Sequence, residues 1–420
     1  EWNALPDGLN ATWASRDVHY KLHEVPQVTQ KNTATIHAWK GERANVQAVL
    51  YSKSNQDTLS VRMTEWQKDG KATGIDGGDA RFVNYVITDD YVSCGNHPMT
   101  LPQWLVADVI DQDKPHAVPA METRPVWCSV EVPRDIEAGE YTTALEVVDA
   151  NGNGVKSLAL TINVNSRSLP TVAEQKFHLD FWQQPYAISR YYGVERWSEE
   201  HYEALRPYLQ ALGRAGQRVV SAILFYEPWG EQTHDLFDPM VQTTKKSNGT
   251  WEYDYTVFDR YVELMMSLGV KKQINCYSML PWNNALCWYE EKDGAFLQKS
   301  RGPQHKDFEK MWGPFLTDFV KHLREKGWLE ITNIAADERS PEDMEVVIKV
   351  MQKYAPELGF AMADNHASYR RIQNVRDCCV AQRQLYLTQE EIDERRAKGY
   401  VTTFYVCCST FFPNTWTFSQ

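Results

Sequence analysis

From residue 177 onward the chain repeats one grammatical unit: a short apolar run, a polar turn, then a helical pattern that ends in glycine. Apolar runs of strand length fall at 177–182, 219–226, 273–280, 331–336, 359–363, 378–382 and 400–407. Between them lie helical patterns such as 199–214, 255–268, 308–326, 341–354 and 388–398, several stopped by a C-terminal glycine, namely Gly216, Gly269, Gly327 and Gly399. Strand–helix alternation on this scale predicts parallel strands wrapped by helices, a (β/α)8 TIM-type barrel. Seven strands are read where a barrel needs eight, and the sequence stops at Ser419-Gln420 soon after the seventh. The expectation is a barrel truncated after strand 7, since 404–412 is too apolar to be the natural end of a barrel wall.

Residues 1–168 obey a different period. Leu158, Leu160, Ile162 and Val164 alternate with Ala159, Thr161 and Asn163, the pattern of a half-buried strand, and the run 141–148 reaches it across Asn151-Gly152-Asn153-Gly154. Further strands are expected at 18–25, 44–52, 59–66, 82–88 and 126–132. Short strands with turns between them predict a β-sandwich over 1–168, a linker at 169–176 around Leu169-Pro170, and the barrel over 177–420.

Composition narrows the partners. Lys+Arg of 44 against Asp+Glu of 56 leaves a formal charge of −12 with no basic cluster, which disfavours nucleic acid and anionic membrane. No run approaches the roughly 20 apolar residues of a membrane span. Glu1-Trp2-Asn3 carries neither methionine nor a signal peptide, so a processed or trimmed start is expected. Of the 8 cysteines most lie in apolar runs (Cys128, Cys276, Cys378, Cys379, Cys407, Cys408), without a C-x-x-C, and read as buried thiols. The 15 Trp and 21 Tyr fill cores in any protein, but tryptophan is also the apolar platform of sugar sites.

Chemistry concentrates where the runs end. The stretch Ile331-Thr-Asn-Ile-Ala-Ala-Asp-Glu-Arg339 is apolar until two adjacent carboxylates, Asp337 and Glu338, and a helix opens at Ser340-Pro341 with a cap residue and a first-turn proline. An Asp-Glu pair in a charged helix, such as Asp393-Glu394, is a solvated face; at the end of a buried strand the catalytic reading leads. After the other strands come Asp180, Trp182 and Gln183; Tyr226, Glu227 and Trp229; Tyr277, Pro281, Trp282 and Asn283; Asp364, Asn365 and His366; Gln382 and Arg383; and Tyr405 and Trp416. Singly each is a cap or a packing residue. Converging on one rim, carboxylates and amides fix hydroxyl groups while rings cover a C–H face, so Asp180, Trp182, Tyr277, Trp282, Asn365, His366, Tyr405 and Trp416 are read as substrate-binding. No H-E-x-x-H, G-x-S-x-G or phosphate-binding glycine loop occurs, and neither a metal nor a cofactor is expected. His19 and His23 have strand context, and Gly74–Gly78 reads as a loop.

Adjacency narrows the reaction. Paired glycosidase carboxyls stand about 5–5.5 Å or 6.5–9.5 Å apart across the sugar, whereas sequence neighbours, with Cα atoms about 3.8 Å apart, work one flank. That suits neighbouring-group catalysis: a 2-acetamido oxygen attacks the anomeric carbon, Asp337 orients the acetamido group and steadies the oxazolinium, and Glu338 protonates the leaving oxygen.

The chain resembles glycoside hydrolase family 123, the retaining N-acetyl-β-galactosaminidases. The resemblance rests on Gly41-Glu42-Arg43-Ala44-Asn45-Val46-Gln47, on His178-Leu179-Asp180-Phe181-Trp182-Gln183-Gln184-Pro185, and on Asp337-Glu338. It implies a β-sandwich before a (β/α)8 barrel, with Asp337 orienting the acetamido group, Glu338 as acid/base, and a glycan ending in β-linked N-acetylgalactosamine (GalNAc) as substrate. It also implies an exported, periplasmic or secreted protein, and family members continue through the rest of the barrel into a C-terminal β region that this chain lacks. Two alternatives stand beside it: a family 20-type β-hexosaminidase, and a non-catalytic glycan-binding surface protein.

Overall fold

Asp149 organises the turn that the Asn-Gly repeat marks. Its carboxylate accepts the main-chain N–H groups of Asn151 and Asn153 at 2.9 and 2.8 Å and the Asn153 side-chain amide at 3.0 Å. Gly152 takes the positive φ of +83° that the tight reversal needs. The strands on either side, Gly139–Asp149 and Gly154–Ser168, pair antiparallel with Leu145 opposite Leu158. The computed structural model describes residues 1–89, 103–112, 115–372, 375–381 and 387–405. The chain divides into two compact units, one formed by Glu1–Pro170 and the other beginning at Thr171.

In the first unit one sheet runs in the order Asn10–Ala14, Arg43–Ser52, Glu122–Glu131, Asp79–Asp89, Gln103–Ile110. The second runs Thr33–Lys40, Gly154–Ser168, Gly139–Asp149, Gln56–Met63, His116–Val118. Alternate residues from both meet in one apolar cluster: Trp13, Leu50, Val126 and Cys128 from the first, Leu59, Leu145, Leu160 and Ile162 from the second, with Trp66 fully buried among them. Each leucine removed from water there contributes roughly 1.5–3 kcal/mol, which holds the two sheets together as a sandwich. The expected strand at 18–25 is not one. It lies beside Gln103–Ile110 through a single bridge, Lys21 to Val106, so His19 and His23 are not in a strand. The strands Asn10–Ala14, Thr33–Lys40 and Gln103–Ile110, absent from the sequence reading, each form a sheet edge.

The second unit is a parallel sheet in the order Val219–Ile223, Gln273–Tyr277, Thr332–Asp337, Gly359–Asp364, Asp377–Ala381, Val401–Tyr405. Helices Glu199–Ala215, Thr256–Ser267, Phe308–Lys326, Pro341–Tyr354 and Gln389–Ala397 lie between consecutive strands or precede them. Phe258, Trp312, Phe315 and Phe319 carry the helix layer onto the sheet in the core cluster. Among the described residues the sheet has six strands and two edges, where the expectation was a (β/α)8 barrel truncated after strand 7.

The strand that is missing lies at the start. Residues 177–182 form no strand, only a parallel bridge from Leu179 to Gln217. Side chains take over the ladder there. The Gln217 amide accepts the Phe181 N–H at 2.9 Å and donates to the Phe181 carbonyl at 3.1 Å, while Gln183 Oε1 accepts the Ser221 N–H at 2.8 Å. A small sheet that sequence reading missed, Trp251–Asp254, Gln242–Lys245, Ala285–Glu290, Ala295–Ser300, is assembled from insertions after the first two parallel strands. Among the described residues no helix is long and apolar enough to cross a membrane. Cys128, Cys276, Cys287 and Cys378 are buried free thiols and Cys379 is half-buried; Cys407 and Cys408 lie outside the described residues.

Candidate active site

All six residues of Thr332–Asp337 are buried, and the strand's last side chain is the carboxylate of Asp337. The chain then turns sharply. Glu338 adopts φ +48°, a left-handed conformation that costs a non-glycine residue on the order of 1 kcal/mol or more. Its N–H still pairs with the Ala363 carbonyl at 2.9 Å, and Ser340 caps the following helix by accepting the Asp343 N–H at 3.2 Å. Consecutive residues of an extended strand would point to opposite faces. The turn instead leaves Asp337 buried while Glu338 reaches a partly exposed position.

Three rim loops interlock around this turn. The Trp282 indole N–H donates to the Asp337 main-chain carbonyl at 3.0 Å, and the Trp282 N–H donates to the Pro228 carbonyl at 2.9 Å. Arg339 reaches back with one Nη on the Trp282 carbonyl at 3.0 Å and the other on Asn284 Oδ1 at 2.7 Å and Asp343 Oδ2 at 3.3 Å. Glu227, fully buried with φ +47°, accepts the N–H groups of Glu231 and Phe237 and so folds the loop that carries Trp229.

Rings form the wall. Trp182 stacks on Trp229 with centroids 5.3 Å apart and an interplanar angle of 30°, and Tyr277 lies 5.0 Å from Trp182 and 5.2 Å from Trp229. Trp182 keeps 42% of its surface exposed, so one indole face is open to a ligand. The Trp229 Nε1–H is buried without a hydrogen-bond partner, yet near enough to Asp337 to favour its charged form.

The electrostatics set the two acids apart. Burial first, then the charge of Glu338, pushes Asp337 up to about 7, against the pull of the Trp229 and Trp282 indoles. Burial and the charge of Asp377 lift Asp180 to about 7, with Gln217 and Trp182 opposing. Burial, then Asp180 and Asp337, drives the Tyr277 phenol well above its ordinary value, so this hydroxyl lies in the field of both acids. Asp377 itself sits lower in the sheet, accepting Gln273 Nε2 at 2.6 Å and Asn275 Nδ2 at 3.0 Å.

The structure therefore brings together Asp337, Glu338, Asp180, Trp182, Tyr277 and Trp282, and adds Tyr405, whose hydroxyl donates to Glu338 Oε1 at 2.5 Å. Asn365 and His366 follow Gly359–Asp364 as expected, but His366 is exposed and its N–H serves the Asp364 carboxylate at 2.9 Å. That carboxylate also accepts from Ser368 Oγ and the Tyr369 N–H, so it shapes the loop. Neither Asn365 nor His366 hydrogen-bonds Asp337 or Glu338 among the described residues. Trp416, Gln382 and Arg383 lie outside the described residues. Sequence reading named Glu227 only as one of the rim carboxylates and left Arg339 and Gln217 without a role; the only signal for Arg339 was its place directly after the two acids. Among the described residues no cluster of His, Cys, Asp or Glu could hold a metal ion.

Paired carboxylates under an aromatic wall, at the C-terminal ends of parallel strands, are the equipment of a glycoside hydrolase. Comparison with known families specifies which. The Glycoside hydrolase 123 catalytic domain matches residues 182–420 and the Glycoside hydrolase 123 N-terminal domain matches residues 13–149. The chain belongs to glycoside hydrolase family 123 and is a glycoside hydrolase. A solved family 123 glycoside hydrolase from Clostridium perfringens, described in terms of glycolipid glycan hydrolysis, superposes with a TM-score of 0.84 at 24% identity over 95% of this chain and 72% of that one. The N-terminal domain of PorA aligns with 35% of this chain and 98% of its own at 10% identity, with a TM-score of 0.18 that carries no argument. No curated protein sequence matches.

Proposed function

We propose that this glycoside hydrolase releases terminal β-linked GalNAc with retention, by participation of the substrate's own acetamido group. The observation that carries the reading is the pairing of a buried Asp337 with a partly exposed Glu338 on one flank of the Trp182–Trp229–Tyr277 wall. An aspartate lifted to about 7 is ill suited to lie bare in the empty site and well suited to pair with a cation. As the acetamido oxygen closes on the anomeric carbon, positive charge develops on the oxazolinium and the Asp337 carboxylate accepts its N–H. Glu338, turned outward, delivers its proton to the glycosidic oxygen, then takes one from the water that opens the ring. The sugar–aglycone bond breaks, the oxazoline bond forms and is hydrolysed, and configuration is retained. The open face of Trp182 packs on the sugar ring.

The glycolipid glycan of the Clostridium perfringens relative makes glycolipid headgroups the first substrates to try. The same reading assigns 1–168 to a sandwich domain, 169–176 to a linker and 177–420 to the catalytic domain. Export or periplasmic placement rests on family resemblance, and fractionation of the native host tests it.

Glu338→Gln tests the acid. It should abolish most turnover of a glycoside with a poor leaving group and much less of an activated aryl glycoside, where protonation is not needed. Equal losses on both would reject the assignment. Full turnover of a substrate with a 2-hydroxyl in place of the acetamido group would reject neighbouring-group participation. Parallel GalNAc and GlcNAc aryl glycosides decide between this reading and a family 20-type preference.

A further inference from the structure

The Gly41–Gln47 motif lies in the first unit and builds something specific there. Gly41 turns the chain at φ +78°, the Glu42 N–H donates to the Trp39 carbonyl at 3.1 Å, and the Glu42 carboxylate accepts the Trp39 N–H at 2.7 Å. This turn clamps the end of the edge strand Thr33–Lys40 and holds Trp39 on the outer face of its sheet, 39% exposed. On the same face, His37 lies opposite Asn163, and Asn163 opposite Glu140, a row of three polar side chains across three strands. Adjacent strands are about 4.8 Å apart, so the row spans about 10 Å. Trp39 lies two residues beyond His37, on the same side by the strand's period of two.

These residues line a cavity of about 730 Å³ that also takes in Asn165 and contains no lysine or arginine. The side chains of His37, Asn163 and Glu140 make no hydrogen bonds among the described residues, so their donors and acceptors are available to a ligand. An indole face beside a row of amide, imidazole and carboxylate groups matches a neutral sugar: apolar C–H on one side, hydroxyls around the edge. It is too polar for an apolar helix and offers no cation to an anion. We propose that this groove of the N-terminal sandwich is a non-catalytic binding site for a neutral oligosaccharide, with Trp39 as its platform and His37, Asn163 and Glu140 as its hydroxyl readers. Because the turn at Gly41 fixes the Trp39 main chain before any ligand arrives, less is lost in ordering it.

The site is independent of which bond the catalytic unit cleaves, so its failure and that of the catalytic reading are separable. The full chain carrying Glu338→Gln is titrated with β-linked di- to hexasaccharides of glucose, galactose, GlcNAc and GalNAc, and binding is read by calorimetry and by tryptophan fluorescence. At least one of these probes should bind with an affinity that Trp39→Ala lowers at least about tenfold, and Asn163→Ala should lower it in the same direction. Trp182→Ala in the second unit should leave that affinity in place. Melting temperatures of both groove variants should match the parent, which separates lost recognition from lost folding. Binding unchanged in both groove variants, no binding of any probe, or loss only with Trp182→Ala would each overturn the proposal. Self-association of the parent that Trp39→Ala abolishes, without sugar binding, would make the groove a protein contact and overturn it too.

Discussion

The indole N–H of Trp282 rests on the main-chain carbonyl of Asp337 at 3.0 Å, across 55 residues of sequence. One loop of the rim thereby fixes the backbone of a buried acid that belongs to another. Trp282→Phe keeps an aromatic ring and removes the donor. It should cost about 1 kcal/mol in stability and about ten- to a hundredfold in kcat, since small misplacements of reacting groups are expensive. Denaturant unfolding and steady-state kinetics on a GalNAc glycoside check both. An unchanged kcat would show that the tether does not set the acid's position.

Arg339 serves three acceptors from two Nη groups while its side chain is only 12% exposed. A lysine keeps the charge and loses the fork. Arg339→Lys should therefore lower kcat about tenfold or more with KM little changed, because it disturbs the placement of Trp282 and Asn284 and not the aromatic wall. A loss confined to KM would contradict a positioning role.

The raised value of Asp337 carries a signed consequence for stability. Its folded value, about 7, lies above that of an unfolded aspartate, so the native state holds the proton more tightly. The stabilisation from the neutral form is complete below about pH 4 and is lost as pH rises toward 7. Asp337→Asn is neutral throughout and escapes that loss. Relative to wild type its melting temperature should rise from pH 4 to pH 7 and level off above it, with a gap on the order of 4 kcal/mol at pH 8. Turnover should fall over the whole range. A stability gap independent of pH would mean that Asp337 is not raised.

In the sandwich, Leu160 is fully buried between Thr143 and Ala34 across its two neighbouring strands. Leu160→Ala should destabilise the N-terminal unit by about 2–5 kcal/mol, from lost transfer energy and an unfilled cavity. A loss of unfolding free energy in urea of less than about 1 kcal/mol would show that the two sheets can collapse onto the gap.

Local chemistry carried much of this protein into its sequence. The alternation of Leu158, Leu160, Ile162 and Val164, the Asn-Gly turn, the Ser340 cap and the glycine helix stops each depend on a few neighbouring residues, and each is legible without coordinates. So was the junction that puts Asp337 and Glu338 at a strand's end, and with it the class of chemistry. What only the tertiary structure decided depends on contacts far apart in sequence. The run at 177–182 looks like a strand, but the amides of Gln217 and Gln183 occupy the hydrogen bonds a ladder would have used. Trp229, Trp282 and Arg339 become parts of one site because three loops from separate strands close on each other. The charge state of Asp337 follows from burial and from Glu338 beside it, and burial is a property of the folded whole, which no stretch of nine residues can state.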